Sequence, residues 1–318
     1  MGLRTALGLK GKKAASQSRP GHKFGVLRFG YEDFFSFDER RRLYGSYDVN
    51  LGDNAQSIAA RNLLRDLGVG DEQIVTVNRD TLAKYKGPPC SLIMNAVFFK
   101  QSFPLPPAIR PIFIGFQADE HVISSNLALF KLHEPIGCRD VATTERMKAH
   151  GISAFTTGCV TLTFPPREQE PEQGRLLIVY GSEFPSSVLR YIPKELSEQC
   201  EFIYHRLPVD EFPVSERTHQ LAETHEKALL DRYRRSAKLV LTPLHHVAAP
   251  CMAMEIPVIV CRSKNDDRFS FLEKLTRVYT PDQFSSIDWN PAKPDVSRIR
   301  DSIRELFSRH TEVARASE

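Results

Sequence analysis

Residues Leu241–Val260 read LTPLHHVAAPCMAMEIPVIV. An apolar run ends at Pro243, two histidines follow, and an Ala- and Met-rich apolar stretch leads into a second apolar run after Pro257. Short continuous apolar runs separated by a helical stretch describe parallel strands, buried on both faces, with a crossover helix between them. The helix expected over Ala248–Met254 is apolar all round and must itself be buried. His245 and His246 therefore stand where a strand ends and a buried helix begins, the place at which open α/β sheets bind ligands.

The pattern repeats along the chain. Strands are expected at Phe24–Phe29, Ile74–Val77, Ser91–Met94, Pro111–Gly115 and Ser153–Thr157, and again at Arg175–Tyr180, Glu201–His205, Lys238–Thr242 and Pro257–Val260. Helices are expected at Gln56–Leu67, Thr143–His150, Ser215–Ser236 and Val296–Arg309, with Ser215 as an N-cap. Strands alternating with helices mean an α/β fold. Pro165–Gly174, PPREQEPEQG, is built from prolines, charges and amides and reads as a linker. A chain of 318 residues is long for one core and suits two domains of about 150 each. The expected architecture is two doubly wound, Rossmann-like domains facing a cleft, over residues 23–165 and 175–318, after a basic, disordered tail over residues 1–22.

Composition narrows the class. Lys+Arg 43 against Asp+Glu 39 gives a net charge of +4, too mild to indicate a nucleic-acid partner. The basic residues Arg4, Lys10, Lys12, Lys13, Arg19 and Lys23 precede the first acid, Glu32. Such a tail is a solvated extension or a contact to anionic lipid. No apolar run reaches the ~18 residues that span a bilayer, and no secretory core follows Met1. The cysteines at 90, 138, 159, 200, 251 and 261 are scattered without a CxxC, as reduced core thiols are. A cytoplasmic protein without a metal site is expected.

Loops after strands carry the chemistry of such folds. Asn50 and Asp53 flank Gly52 before a helix. That is an N-cap with a turn glycine, or a turn that admits a ligand while Asp53 serves as a base. Asn95 ends a strand ahead of Phe98 and Phe99, either capping the loop or holding a polyol. Arg139 ends a short apolar run beside Asp140, as a surface ion pair or as a fork for phosphate or carboxylate oxygens. Thr156 and Thr157 can offer hydroxyl and amide donors to an anion. The partial positive charge at the N-terminus behind His245 and His246 also favours an anion, and a histidine facing one is easier to protonate. Arg262 and Lys264 follow the next strand on the same rim.

GDNAQSIAA, IGCRDVATTERMKAHGI, TGCVTLTF and TPLHHVAAPCMAMEIPVIV, in this order and spacing, resemble the polysaccharide pyruvyl transferase family, from about Asn50 to Lys264. The resemblance implies a fold similar to the B-type glycosyltransferases. It also implies transfer of pyruvate from phosphoenolpyruvate to a sugar of a bacterial exopolysaccharide or cell-wall glycan precursor, making a cyclic ketal. The family's donor-site Arg falls on Arg139, its His on His245 and its Lys on Lys264. The Arg two residues before that His is Pro243 here, and His246 stands where a small residue is common. In this reading His245 is the general acid, Asp53 the base, and Arg139, Lys264, Asn95, Gly52, Thr157 and His246 contact substrate. No cofactor or metal is implied beyond the donor substrate. The acceptor is a nucleotide- or lipid-linked sugar, the first domain taking the acceptor and the second the donor, with peripheral association at the inner membrane. Rival readings are a nucleotide-sugar glycosyltransferase and a non-catalytic glycan-binding member.

Overall fold

The computed structural model describes residues 21–31, 47–181, 184–209 and 213–316. The segment expected to be a basic, disordered tail lies, over residues 1–20, outside the described residues. The chain folds as a mixed α/β protein with parallel sheets. One sheet runs Ile74–Asn78, Phe24–Arg28, Cys90–Ile93, Ile109–Ile112, all parallel. The other runs Cys200–Tyr204, Arg175–Tyr180, Ala237–Thr242, Val258–Cys261, Val278–Tyr279, also all parallel. A shorter parallel pair, Ile136–Cys138 with Ala154–Thr156, lies beyond the first sheet. The central strands Phe24–Arg28, Cys90–Ile93, Ala237–Thr242 and Val258–Cys261 are largely buried, as their continuous apolar runs require, whereas Val278–Tyr279 joins the second sheet unannounced by the sequence pattern.

Two expectations shift. The strand expected at Pro111–Gly115 is Ile109–Ile112, with Gly115 beyond it in the left-handed region at φ +74°. Helices begin earlier than their apolar periodicity, because capping side chains lie upstream of it. Asn50 accepts from the Gly52 amide and starts Leu51–Asp66, and Asp140 accepts from the Thr143 amide at 2.7 Å and starts Val141–Ala149. The buried helix spans His245–Ala253, so both histidines lie in its first turn.

The two sheets are tied together by several independent contacts. Tyr47–Asn50, just ahead of the first long helix, pairs antiparallel with Arg206–Val209 of the second half. Arg206 holds Asp48 there at 2.5 Å. In Pro165–Gly174, Arg167 is buried: its amide donates to the Met254 carbonyl and its guanidinium to the Ala237 carbonyl at 2.7 Å. The last helix, Ser297–Ala316, crosses back onto the first half. Its Arg304 pairs with Asp66, and its Arg300 donates to the Ala253 carbonyl at the end of the buried helix. One cluster of buried side chains runs from Phe24 and Leu63 through Val247 and Met252 to Phe307. All six cysteines are free thiols. No helix among the described residues is long and apolar enough to cross a membrane.

His245–Ala253 is the common wall of this cluster, with Val247 to Ala253 buried throughout. Met252→Ala removes a wholly buried side chain from it. It is expected to lower stability by about 2–5 kcal/mol, read as a lower urea midpoint at unchanged slope.

Candidate active site

The second sheet's strand Ala237–Thr242 delivers the chain to Leu244, whose amide donates to the Thr242 hydroxyl. Leu244 then caps the buried helix with no side-chain acceptor, so the first-turn amides keep their outward positive end. Pro250 brings no N–H to the His246 carbonyl one turn back. The two imidazoles meet edge to face with centroids 5.1 Å apart, and His245 packs on Phe269 at 5.5 Å. Among the described residues, His245 Nδ1 and Nε2 and His246 Nε2 are shielded from solvent and hydrogen-bond nothing. Each residue nevertheless keeps part of its surface open.

The ease of protonation expected for His245 is reversed by burial, with the protein's own cations adding to it. Burial holds its imidazole well below the ordinary histidine value, and Arg139, Arg268 and Arg262 press in the same direction against Asp266. Burial likewise depresses His246, with His245 and Arg139 adding to it. Both rings are neutral at pH 7.

Arg139 comes to this place from Ile136–Cys138, anchored by its amide to the Phe116 carbonyl at 2.7 Å. It is 2% exposed, and its Nε and Nη1 have no hydrogen-bond partner among the described residues. Burial disfavours its charge, while Cys159, Asp140 and Asp53 support it. Asp140 does not fork with it: one oxygen caps the helix at Thr143, and the other has no partner among the described residues. Cys159 arrives through the turn at Gly158, whose φ of +78° and lack of Cβ let the Phe271 ring close in; a Cβ would meet that ring at 2.6 Å. Val160–Thr163 then packs against the buried helix and sets Cys159 beside the histidines. The ligand atoms of Cys159, His245 and His246 lie within 4.8 Å of one another. Sequence spacing gives no sign of this cluster, because the thiol and the rings come from opposite halves of the chain.

Asp53 sits in the first turn of Leu51–Asp66 and accepts from the Tyr31 hydroxyl at 2.6 Å. Burial raises its pKa, against Arg79 and the Tyr31 bond. Tyr31 escaped the sequence reading. It holds a left-handed φ of 58° while its amide donates a hydrogen bond to the buried Asp80 carboxylate at 2.7 Å. Its hydroxyl also takes the Asn50 amide. Gly52 serves the protein rather than a ligand: it lies within the helix, and a Cβ on it would meet the His246 Cβ at 2.6 Å.

Three expected contacts turn inward or away. The Thr157 hydroxyl accepts from the Gly115 amide and donates to the Cys138 carbonyl, so it has no proton left for an anion. Asn95 is buried and donates to the Gln56 carbonyl, while Phe98 stacks on Phe116 in the core, so this pair makes no open polyol surface. Lys264 is exposed, its carbonyl taking the Arg262 Nε, and Arg262 itself is buried, donating to the Pro243 carbonyl at 2.8 Å and lying 4.4 Å from the Phe269 ring centre. Arg262 thus braces the loop ahead of the histidines. Arg268, beside it and held by Asp266, is the further cation that acts on His245. The segment docks on the first half, Ser270 accepting from the Val141 amide and Asp267 pairing with Arg146.

A model of the polysaccharide pyruvyl transferase family matches residues 50–265, which contain Asp53, Arg139, Cys159, His245, His246, Arg262 and Lys264. A search of curated proteins returns no match. Among solved structures, the chain is similar to the crystal structure of a functionally uncharacterized protein from Klebsiella pneumoniae subsp. pneumoniae. The identity is 12% and the TM-score 0.42, over 79% of this chain and 88% of that one. A likeness this distant bears on neither the details of the fold nor the function.

The contact between Gly52 and His246 is tight enough to test. Gly52→Ala must push the two helices apart, because both colliding atoms are anchored to backbone. A loss of about 1–3 kcal/mol is expected, measured by urea unfolding.

Proposed function

The chain belongs to the polysaccharide pyruvyl transferase family, and from that premise we propose that it transfers pyruvate from phosphoenolpyruvate to a sugar. The acceptor is a nucleotide- or lipid-linked precursor of a bacterial exopolysaccharide or cell-wall glycan, and the product is a cyclic ketal. The observation that carries this reading is the Arg139 guanidinium, buried with its Nε and Nη1 unpartnered among the described residues, beside the uncapped end of the helix that bears His245. A buried unpaired cation costs several kcal/mol. A donor carrying both phosphate and carboxylate supplies the missing counter-charge. In the same reading the two sheets are the facing donor and acceptor units of a fold like that of B-type glycosyltransferases, at work in the cytoplasm.

The chemistry follows from the neutral histidine. Donor binding brings negative charge against His245 and raises its pKa, so the proton is loaded only with the donor in place. His245 gives that proton to C3 of the enol, making the methyl group and leaving C2 electrophilic. A sugar hydroxyl adds at C2, the bond from C2 to the phosphate oxygen breaks, and a second hydroxyl closes the ring. The two hydroxyl protons balance the one gained at C3 and the one carried off by phosphate. Asp53, whose carboxylate burial makes more basic and which accepts from the Tyr31 hydroxyl, is the base for a sugar hydroxyl. Lys264 reaches the donor from the exposed rim.

Phosphate release from phosphoenolpyruvate in the presence of a diol-bearing acceptor tests the reading against nucleotide release from a sugar nucleotide. Arg139→Ala is expected to weaken donor use by about 1.5–3 kcal/mol, roughly ten- to a hundredfold in kcat/KM, with Arg139→Lys only partly restoring it. Normal kinetics in a folded Arg139→Ala protein overturn the donor site. His245→Gln is expected to cut kcat by about 10²–10⁴-fold and to stop deuterium from entering the pyruvyl methyl group in heavy water.

Activity is also expected to fall with rising pH as His245 loses its proton. Because the protein alone depresses His245 and the donor raises it, the limb in kcat/KM should lie at lower pH than the limb in kcat. Coincident limbs contradict donor-loaded protonation.

A further inference from the structure

We propose that Cys159, His245 and His246 form a binding site for a thiophilic divalent ion of the zinc class. Three donors whose ligand atoms lie within 4.8 Å of one another need only sub-ångström side-chain adjustments to reach bonds of about 2.0–2.3 Å. A second, independent observation points to a ligand at the same place. His245 Nδ1 and Nε2 and His246 Nε2 are out of reach of solvent and without a hydrogen bond among the described residues, whereas most buried polar side-chain atoms are paired. Thr161 donates its hydroxyl to the Cys159 sulfur at 3.0 Å, an outer bond that steadies a thiolate.

The donor set selects the ion. One thiolate and two imidazoles favour zinc, cobalt or copper over magnesium or calcium. Three protein ligands leave a fourth position open. Binding converts the Cys159 thiol to a metal-bound thiolate and releases its proton to solvent. Arg139 opposes a cation here, while the thiolate and the carboxylates of Asp53 and Asp266, which act on Arg139 and on His245, offset it. An anion in the fourth position would be shared between the ion and the free N–H groups of Arg139.

The consequence for catalysis rests on the reading of His245 as the acid. An imidazole whose lone pair is held by a metal cannot become the imidazolium that protonates C3. Ion and transfer therefore exclude each other, and the bound ion is an inhibitor.

The test uses the full chain, dialysed against chelator and titrated with Co²⁺. One equivalent is expected, with the visible bands of tetrahedral cobalt and a near-ultraviolet band from thiolate-to-cobalt charge transfer. Cys159→Ser should lose that near-ultraviolet band and bind Co²⁺ at least about tenfold more weakly, as loss of even an outer partner does. Cys200→Ser, at the partly exposed thiol of the second sheet's edge, should keep it. Absence of the band in the wild type, or its persistence in Cys159→Ser, overturns the site. Phosphate release from phosphoenolpyruvate is followed in the same samples. Loss on adding Zn²⁺ and recovery with chelator support the exclusion. Activity that requires the ion overturns His245 as the acid and leaves the site standing. A charge-transfer band without any phosphate release, with or without ion, overturns the transferase reading alone.

Discussion

A guanidinium with uncommitted N–H groups, held inside the protein, is the constraint on which the rest of the site depends. Arg139 cannot escape to solvent, because its amide is fixed to the Phe116 carbonyl and its strand is enclosed by the core. Its charge adds to the burial that depresses both histidines, and it is supported by Cys159, Asp140 and Asp53. The chain keeps the neighbouring carboxylate, Asp140, at work capping a helix instead of closing a bidentate pair. A buried cation left this way is poor for stability. It is well suited to receiving an anion, because the donors are in place before binding and need no reorganisation.

How far the sequence discloses this arrangement depends on the range of the interactions. Continuous apolar runs such as Arg175–Tyr180 are legible because burial on both faces of a parallel sheet is a local demand on composition. The places of Arg139 and His245 in the fold are legible for a related reason, since a polar residue at the end of such a run has a definite location. Helix starts are less so: Asn50 and Asp140 act through side-chain bonds upstream of any apolar period. What stays hidden is long-range. Nothing near Cys159 announces two histidines, and nothing near Gly52 announces His246. Tyr31 is set by a hydrogen bond from its amide to the Asp80 carboxylate, distant in the chain. Thr157 has the right residue type at the right strand end, but backbone groups on both sides consume its hydroxyl.

The loop that bears the histidines is braced from both halves. Arg262 grips the Pro243 carbonyl from within its own sheet, and Gly52 lets the first long helix press against His246. Pro243 offers its carbonyl to Arg262, which stands just past the next strand. A cation remains close to this loop, turned to structural use. The neighbouring Arg268 keeps a second one at the rim.

The crossings between the halves have a consequence for the connector at residues 165–174. The pairing of Tyr47–Asn50 with Arg206–Val209, the Ser270 and Asp267 contacts to Val141–Ala149, and the final helix lying against Leu51–Asp66 each join the two halves away from it. Covalent continuity there is redundant for holding the parts together. A chain severed in its exposed stretch beyond Arg167 is held as a complementing pair of fragments, each carrying a strand or helix that completes the other. The interface between them is then a surface of folding, with the buried helix His245–Ala253 as its template.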